Sequence, residues 1–385
     1  MLSKLRVAFN ATALMAPPTG IGNYIVELGA ALAATGEIDS HSFCNRRWRH
    51  EPPKQPSAET QTRARRLLRT TVKRFVPFAR QLRHVQQQRA FALGLRKNRI
   101  AVYHEPNYVP ICYDVPVVVT VHDLSWHRYP ETHPADRIRW LERAMPTTLE
   151  RAAAIVVDSD FIRRELRATF AVSDRRVHTV HLGVSPAFHP RSAAETHERL
   201  DPIGLAHGGY VLAVGTIEPR KNIEHVLAAY SLLPDALRAQ FPLVIAGAKG
   251  WHATDLERKL RVLMEEGQVR FLGRVPQGVL PMLYAGAKAF VFASLYEGFG
   301  LPPLEAMASG VPTLVADRAS LPEVTGDAAL RIDPERPEDT ARTLAGILED
   351  ADAHADLGHR GRLRATEFTW EKTAQATLRV YRSVV

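Results

Sequence analysis

A chain of 385 residues is long enough for two domains that each bury a core, and its composition is that of an ordinary soluble globular protein. Cys44 and Cys112 alone make neither a disulfide framework nor a zinc pattern, which points to a reducing compartment. No run approaches the ~20 apolar residues of a membrane span, and the formal charge of +9 is gathered in one place: residues 46–99 hold 16 Lys and Arg against 2 Asp and Glu, a net of +14, which leaves −5 for the rest.

In chain order, Arg6 to Ala11 reads as a short apolar strand. Lys4 and Arg6 followed by VAFNATALMA imitate a secretory leader, but the apolar run is short and Asn10 and Thr12 interrupt it. Residues 16–23, APPTGIGN, form a Pro/Gly loop, and Tyr24 to Ala34 carries helical spacing at Ile25, Leu28, Ala31 and Leu32. The loop lacks the third glycine of GxGxxG, so a dinucleotide reading is weak. Ser40 to Cys44 suggests a second strand.

The basic stretch follows. Within it Leu68, Val72, Phe75, Ala79 and Leu82 recur at helical spacing with arginines between them, and Pro77 is expected to kink the helix. A basic amphipathic pattern suits an anionic membrane surface. A helical pair packed on its own domain reads the same way. Nucleic acid is a third reading, with no zinc-finger or RNP signature to support it.

Val102 to Glu105 is a short strand. Pro116 to Val121 is a β-branched run, read as a buried parallel strand ending in His122-Asp123-Leu124. A helix over Pro134 to Ala152, a strand over Ala153 to Val157, a helix through Arg167 and a strand from Val177 to Leu182 continue the alternation. Residues 185–209 break it and read as a linker with a short helix. From Tyr210 a second series begins: YVLAVG, FPLVIAG, VRFLG, AFVFAS, VPTLVA and ALRI. A closing helix from Trp370 to about Arg382 carries Trp370, Ala374, Leu378 and Tyr381 along one face. Strands alternating with helices indicate parallel sheets covered on both faces. The fold class is therefore α/β, with two Rossmann-like domains facing across a cleft. The divisions are 1–190 with the basic insertion at 46–99, 191–368, and a closing helix at 369–385 that packs back towards the first domain.

In open α/β sheets ligands sit at the carboxyl ends of strands. The loop with Gly20 and Gly22, His122, the segment from Gly215, Gly247 and Glu297 all fall at such ends. In YEGFGLPPLEAMASG, Gly298 and Gly300 permit close backbone approach, and Pro302 and Pro303 suit a first helical turn. A turn feeding a helix N-terminus is an anion site. With Glu297 before it and Glu305 a turn inside the helix, the pattern suggests a phosphate held by backbone and hydroxyls held by carboxylates. GTIEPRKN, residues 215–222, adds Arg220 and Lys221, which can neutralise a diphosphate. A solvated basic pair at a turn is the plainer alternative. His122 is a candidate for substrate contact, against the commoner structural histidine bonded to backbone. Asp123 reads as a local cap. Asp158-Ser159-Asp160 looks like a metal-binding DxD, but an N-cap from Ser159 or Asp160 explains it better. No other carboxylate or histidine cluster has metal-site spacing.

These segments resemble the retaining GT-B glycosyltransferases of family 4. YEGFGLPPLEAMASGVPTLVADRASLPEV carries the signature, supported by VGTIEPRKNIEHVLAAY, FLGRVPQGVLPMLYAGAKAFVFAS, TVHDLS and PPTGIGNY. The resemblance covers most of the chain, the basic segment least. It implies that His122 and Glu297 contact the donor sugar at the reacting end. It implies backbone donors at Gly298, Phe299, Gly300 and Leu301, ribose binding by Glu305, and diphosphate binding by Arg220 and Lys221. Gly20 and Gly22 would border donor and acceptor. Thr216 is expected among the donor-binding residues, but many members carry arginine where it stands, so the second cation is expected from Arg220. Neither metal nor cofactor is expected, since the nucleotide sugar is a substrate.

The expected activity is transfer of a hexose or deoxyhexose, from GDP-mannose or GDP-rhamnose, to a lipid-linked glycan in cell-surface polysaccharide assembly of the lipopolysaccharide O-antigen type. The expected location is cytoplasmic, peripheral on the inner face of the membrane through residues 46–99, without nucleic acid. The alternatives are a nucleotide-sugar epimerase of the same fold and a non-catalytic protein binding anions or nucleic acid.

Overall fold

The computed structural model describes residues 4–15, 19–44, 46–51, 76–248, 263–265, 267–276 and 278–385, with 76–84 described by backbone alone. The first sheet contains β1 (Leu5–Asn10), β2 (Ile38–Cys44), β3 (Arg47–Arg49), β4 (Val102–Glu105), β5 (Val117–Val121), β6 (Ala154–Val157) and β7 (Val177–Thr179), in the order β3-β2-β1-β4-β5-β6-β7. Every pairing is parallel except β2 with β3. The second sheet contains β8 (Val211–Val214), β9 (Leu243–Ala246), β10 (Val269–Gly273), β11 (Ala289–Phe292), β12 (Thr313–Ala316) and β13 (Leu330–Ile332), all parallel, in the order β10-β9-β8-β11-β12-β13. These are two Rossmann-like sheets, as the alternation of elements predicts. Central strands such as β5, β6 and β11 are buried throughout because helices cover both faces.

Each order reverses once, between β1 and β4 and between β8 and β11. At such switch points the loops leaving neighbouring strands diverge and open a crevice at the carboxyl ends. The second switch sets the 215–222 segment beside the loop that follows β11. The amide of Leu295 donates to the carbonyl of Arg220 at 2.9 Å and stitches them together.

The domains share apolar packing. One buried cluster joins Phe9, Tyr24 and Leu28 of the first domain to Phe299, Met307 and Phe368 of the second and to Trp370, Leu378 and Tyr381 of the last helix, Trp370–Ser383. That helix packs against Gly20–Ala34, and the Tyr381 hydroxyl meets His104 Nδ1 at 2.6 Å. The connecting segments cross where a methyl on Gly183 would overlap the Trp370 amide.

Several local expectations change. The first helix begins at Gly20, not Tyr24, because Thr19 caps it by accepting from the Gly22 amide at 3.2 Å. β3 is an unexpected addition, an antiparallel edge strand built from Arg-Trp-Arg. In the basic segment the described helix runs Val76–Lys97 with Pro77 in its first turn, and the residues that the expected kink would join to it lie outside the described ones. The spacing at Leu68, Val72 and Phe75 lies outside the described residues, as do the side chains of Ala79 and Leu82. The later half of that helix packs on its own domain: Phe91 and Leu95 are buried, and Trp48 Nε1 donates to the Ala90 carbonyl at 3.2 Å. Arg89, Arg96, Lys97 and Arg99 face outward.

Candidate active site

Glu297 follows β11 and is buried. Its Oε1 accepts from Lys221 Nζ at 2.5 Å and its Oε2 from Arg220 Nη1 at 3.5 Å. Arg220 also donates to the Tyr296 carbonyl at 2.6 Å and to Glu218 at 2.7 Å. The Arg220 and Lys221 side chains are 11% and 13% exposed, so this is a buried two-plus, two-minus cluster and not the solvated basic pair of the plainer reading. Burial opposes the Glu297 charge, but Lys221 and Arg220 outweigh it and hold the carboxyl below its usual range. Burial pulls the Lys221 ammonium down, more than Glu297 raises it. Desolvation disfavours the Arg220 guanidinium, yet Glu297, Asp123 and Glu218 together drive its pKa up.

Local backbone explains the placement. Pro219–Lys221 forms a single 3-10 turn closed by Asn222 in the left-handed region, φ 52°. The turn aims Arg220 and Lys221 at the neighbouring loop and not along the helix Ile223–Ser231 that follows. Gly215 precedes the turn beside Thr216, and a methyl on Gly247 would overlap the Gly215 carbonyl, so the ends of β8 and β9 touch.

The loop after Glu297 is held from behind. Ser320 Oγ points at the Glu297 and Phe299 carbonyls, 2.9 and 2.7 Å away. Gly300 adopts φ 117°, open only to glycine at little cost, and delivers the chain to the helix Leu301–Ala308. Among the described residues, no acceptor takes the amides of Gly298, Phe299 and Gly300. Three free amides at a helix start, with two cations beside them, make an anion cradle. The Phe299 ring turns away and packs on His181 and Phe368, and the Leu301 side chain joins the same apolar cluster. Glu305 sits one turn into the helix, and burial pushes its carboxyl up to about 7.

The first domain closes against this loop. A methyl on Gly298 would overlap the His122 carbonyl, and Ser159 Oγ donates to the Gly298 carbonyl at 2.6 Å. The His122 ring is fully engaged: Nδ1 meets Asp158 Oδ2 at 2.7 Å and Nε2 the Pro106 carbonyl at 2.9 Å. Desolvation alone would lower its pKa, but Asp158 and the Pro106 carbonyl favour the protonated ring, and the net shift is upward. The structure therefore presents the His122 carbonyl to Gly298 and commits the ring to its own domain. A sugar contact through the ring has to displace one of those two partners. Tyr24, in the helix that Gly20 and Gly22 begin, lies edge-on to the His122 ring at 4.8 Å. Asp123 behaves as the expected local cap, accepting from the Ser125 amide at 3.0 Å and from the Tyr108 hydroxyl at 3.0 Å. Burial opposes its charge, and Arg220 across the cleft leads the groups that hold its carboxyl low.

The DxD-like triplet separates: Asp158 serves His122, Ser159 caps the helix Asp160–Phe170, and Asp160 accepts from Thr179. Five further residues build the site and were not assigned from sequence: Glu218, Asp158, Tyr296, Ser320 and Glu323. The Tyr296 hydroxyl donates to Glu165 and accepts from the Leu124 amide at 2.9 Å, bridging the domains. Glu323 accepts from the Asp160 and Phe161 amides at 2.8 and 2.9 Å. The contacts of Tyr296 and Glu323 span more than 70 residues, and no local motif signals them.

The chain is similar to known proteins. The Glycosyltransferase Family 4 model matches residues 18–188 and the Glycosyl transferases group 1 model residues 206–364. The chain is 37% identical to the O-antigen chain mannosyltransferase B of Escherichia coli, over 98% of this chain and all of that protein. It is 35% identical to the serotype-specific mannosyltransferase WbdA of Escherichia coli, over 60% of this chain and 28% of that one. Two solved structures share the fold: a sucrose-phosphate synthase from Thermosynechococcus elongatus (TM-score 0.76, 21% identity, 99% of both chains) and Anabaena Alr3699/HepE in complex with UDP-glucose (TM-score 0.75, 16% identity, 98% of this chain and 100% of that one). The chain belongs to the family 4 glycosyltransferases, enzymes with the GT-B fold of two Rossmann-like domains.

Proposed function

We propose that this enzyme transfers mannose, with retention of anomeric configuration, from GDP-mannose to a lipid-linked glycan of the O-antigen type. The observation that carries the reading is the buried cluster of Glu218, Arg220, Lys221 and Glu297 beside three free amides. The mannosyltransferase names of the two Escherichia coli relatives favour mannose over other hexoses and over rhamnose.

In this reading the diphosphate lies against the Gly298–Gly300 amides, with Arg220 and Lys221 as its counter-ions. Glu297 serves as their partner before the donor arrives and then accepts from sugar hydroxyls. Glu305 accepts from the ribose. As the bond from the anomeric carbon to phosphate oxygen breaks, negative charge grows on the diphosphate. Fixed cations and amides stabilise it without reorganising. The acceptor hydroxyl attacks the face being vacated, and its proton passes to the departing phosphate oxygen. Charge neutralisation is assigned to side chains and backbone, so neither a metal nor a cofactor is invoked.

The acceptor would be brought in at the cytoplasmic membrane surface. Among the described residues no helix is long and apolar enough to cross a membrane. Outward-facing Arg89, Arg96, Lys97 and Arg99, with Leu93 67% exposed between them, instead suit anionic headgroups. Purified protein incubated with a panel of nucleotide sugars tests the reading. Selective turnover of GDP-mannose is expected, in transfer or slow hydrolysis. Turnover of another donor alone, or of none, overturns it. Release of sugar epimer without acceptor would favour the epimerase alternative.

A further inference from the structure

We propose that Asp39, His41 and His50 form a site for one divalent transition-metal ion of the zinc class, which fastens the β2–β3 ribbon. Spacing in the sequence hides the set, but the strands assemble it. Asp39 and His41 lie two residues apart on β2 and so project from one face. The antiparallel register pairs Ser42 with Arg49, and one step further along it His50 comes opposite His41. The candidate ligand atoms of all three residues lie within 4.8 Å of one another.

The second observation is the state of His41. Its ring is 2% exposed, and neither nitrogen makes a hydrogen bond among the described residues. Leaving a buried polar group without a partner costs free energy, and such a group calls for an explanation. Its Nε2 stands 3.3 Å from Asp39 Oδ2. Two ligands bonded to zinc at roughly 2.0–2.1 Å in a tetrahedron stand about 3.3 Å apart, so this pair already has the spacing of one tetrahedral edge. The His50 ring lies 4.4 Å from that of His41 between centroids and is exposed, free to swing the remaining distance. Two imidazoles and one carboxylate, with water in the fourth position, are a zinc-type donor set. Arg6 Nε lies 3.5 Å from the same Asp39 oxygen, but its side chain is 44% exposed and can give way to solvent.

The site is remote from the transfer chemistry. Asp39 pairs with Arg6 near the amino end of β1, whereas the cleft lies at the carboxyl ends. The ion would join β2 to the first residues of the basic segment, beside Phe43 and Trp48, which carry the packing of the helix Val76–Lys97.

Untagged full-length protein, stripped with chelator, should be titrated with Zn(II) by calorimetry and with Co(II) by absorption. The expected result is one saturable site per chain, an intense low-coordinate Co(II) spectrum and a raised melting temperature. His50→Ala and Asp39→Asn should each weaken binding at least tenfold while melting like the stripped wild type. These two carry the test because His41→Ala empties a buried position. Absence of a 1:1 site in the wild type, or unchanged affinity and Co(II) spectrum in His50→Ala, overturns the proposal.

Discussion

The carbonyl of His122 and the α-carbon of Gly298 meet across the cleft with no room for a side chain between them. Glycine at 298 is thus a condition of closure. Gly298→Ala is expected to hold the domains slightly apart and cut transfer about 100-fold, the cost of roughly 1 Å of misplacement. Its melting temperature should fall as well, since moving the domains apart loosens the apolar cluster they share. Steady-state kinetics alongside thermal melting checks this.

Lys221 and Glu297 form a buried pair. Removing Lys221 leaves Glu297 with Arg220 alone and the cluster one negative charge out of balance, which costs up to about 3 kcal/mol. Lys221→Met should therefore destabilise the protein by about that amount. Adding Glu297→Gln should recover most of the stability, while transfer stays lost in both variants. Denaturant melts of the two single variants and the double variant read the coupling. A double variant no more stable than Lys221→Met would show that the pair is not coupled.

Burial raises the Glu305 carboxyl from 4.5 to about 7. The folded state then binds the proton more tightly than the unfolded state, so its stabilising contribution is full below 4.5. That contribution is lost as pH rises through 7. Glu305→Gln should remove this loss, worth on the order of 3 kcal/mol. Donor affinity should move the other way in the wild type. An ionised Glu305 is the better acceptor for ribose hydroxyls, so GDP should bind more tightly at pH 8 than at pH 6. In Glu305→Gln the affinity should be flat and about tenfold weaker at pH 8. Calorimetry at both pH values separates these outcomes.

Glu323, in the second domain, caps the first-domain helix Asp160–Phe170 and meets His181 Nε2 at 2.9 Å. Burial opposes its charge, but His181 and the two amides outweigh it and lower its pKa. The contact is therefore present above the ordinary carboxylate value and lost as pH falls through the lowered one. Glu323→Ala should cost about 1 kcal/mol, the worth of a helix cap. Small-angle scattering should show a larger radius for the variant at pH 7, and for the wild type on acidification.

Short-range patterns made much of the molecule legible. Alternating β-branched runs and helical spacings announced two parallel sheets, because period-2 and period-3.6 burial are local properties. The YEGFG turn with its two prolines announced a helix start, and GTIEPRKN a cationic turn. Boundaries shifted where one side chain decided them, as Thr19 did for the helix at Gly20. β3 went unseen because an edge strand of Arg-Trp-Arg shows little apolar alternation.

What the chain order could not tell was who faces whom. That Lys221 meets Glu297 depends on strand order, since β11 lies beside β8 only after the crossover. That His122 offers its carbonyl, with its ring tied to Asp158 and Pro106, depends on how tightly the first domain's strand ends pack. The Glu323 cap depends on closure between domains. Local sequence determined which elements form and which carry charge. The tertiary structure decided which charges neutralise one another, because Coulomb and hydrogen-bond energies depend on distances that only the packed sheets set.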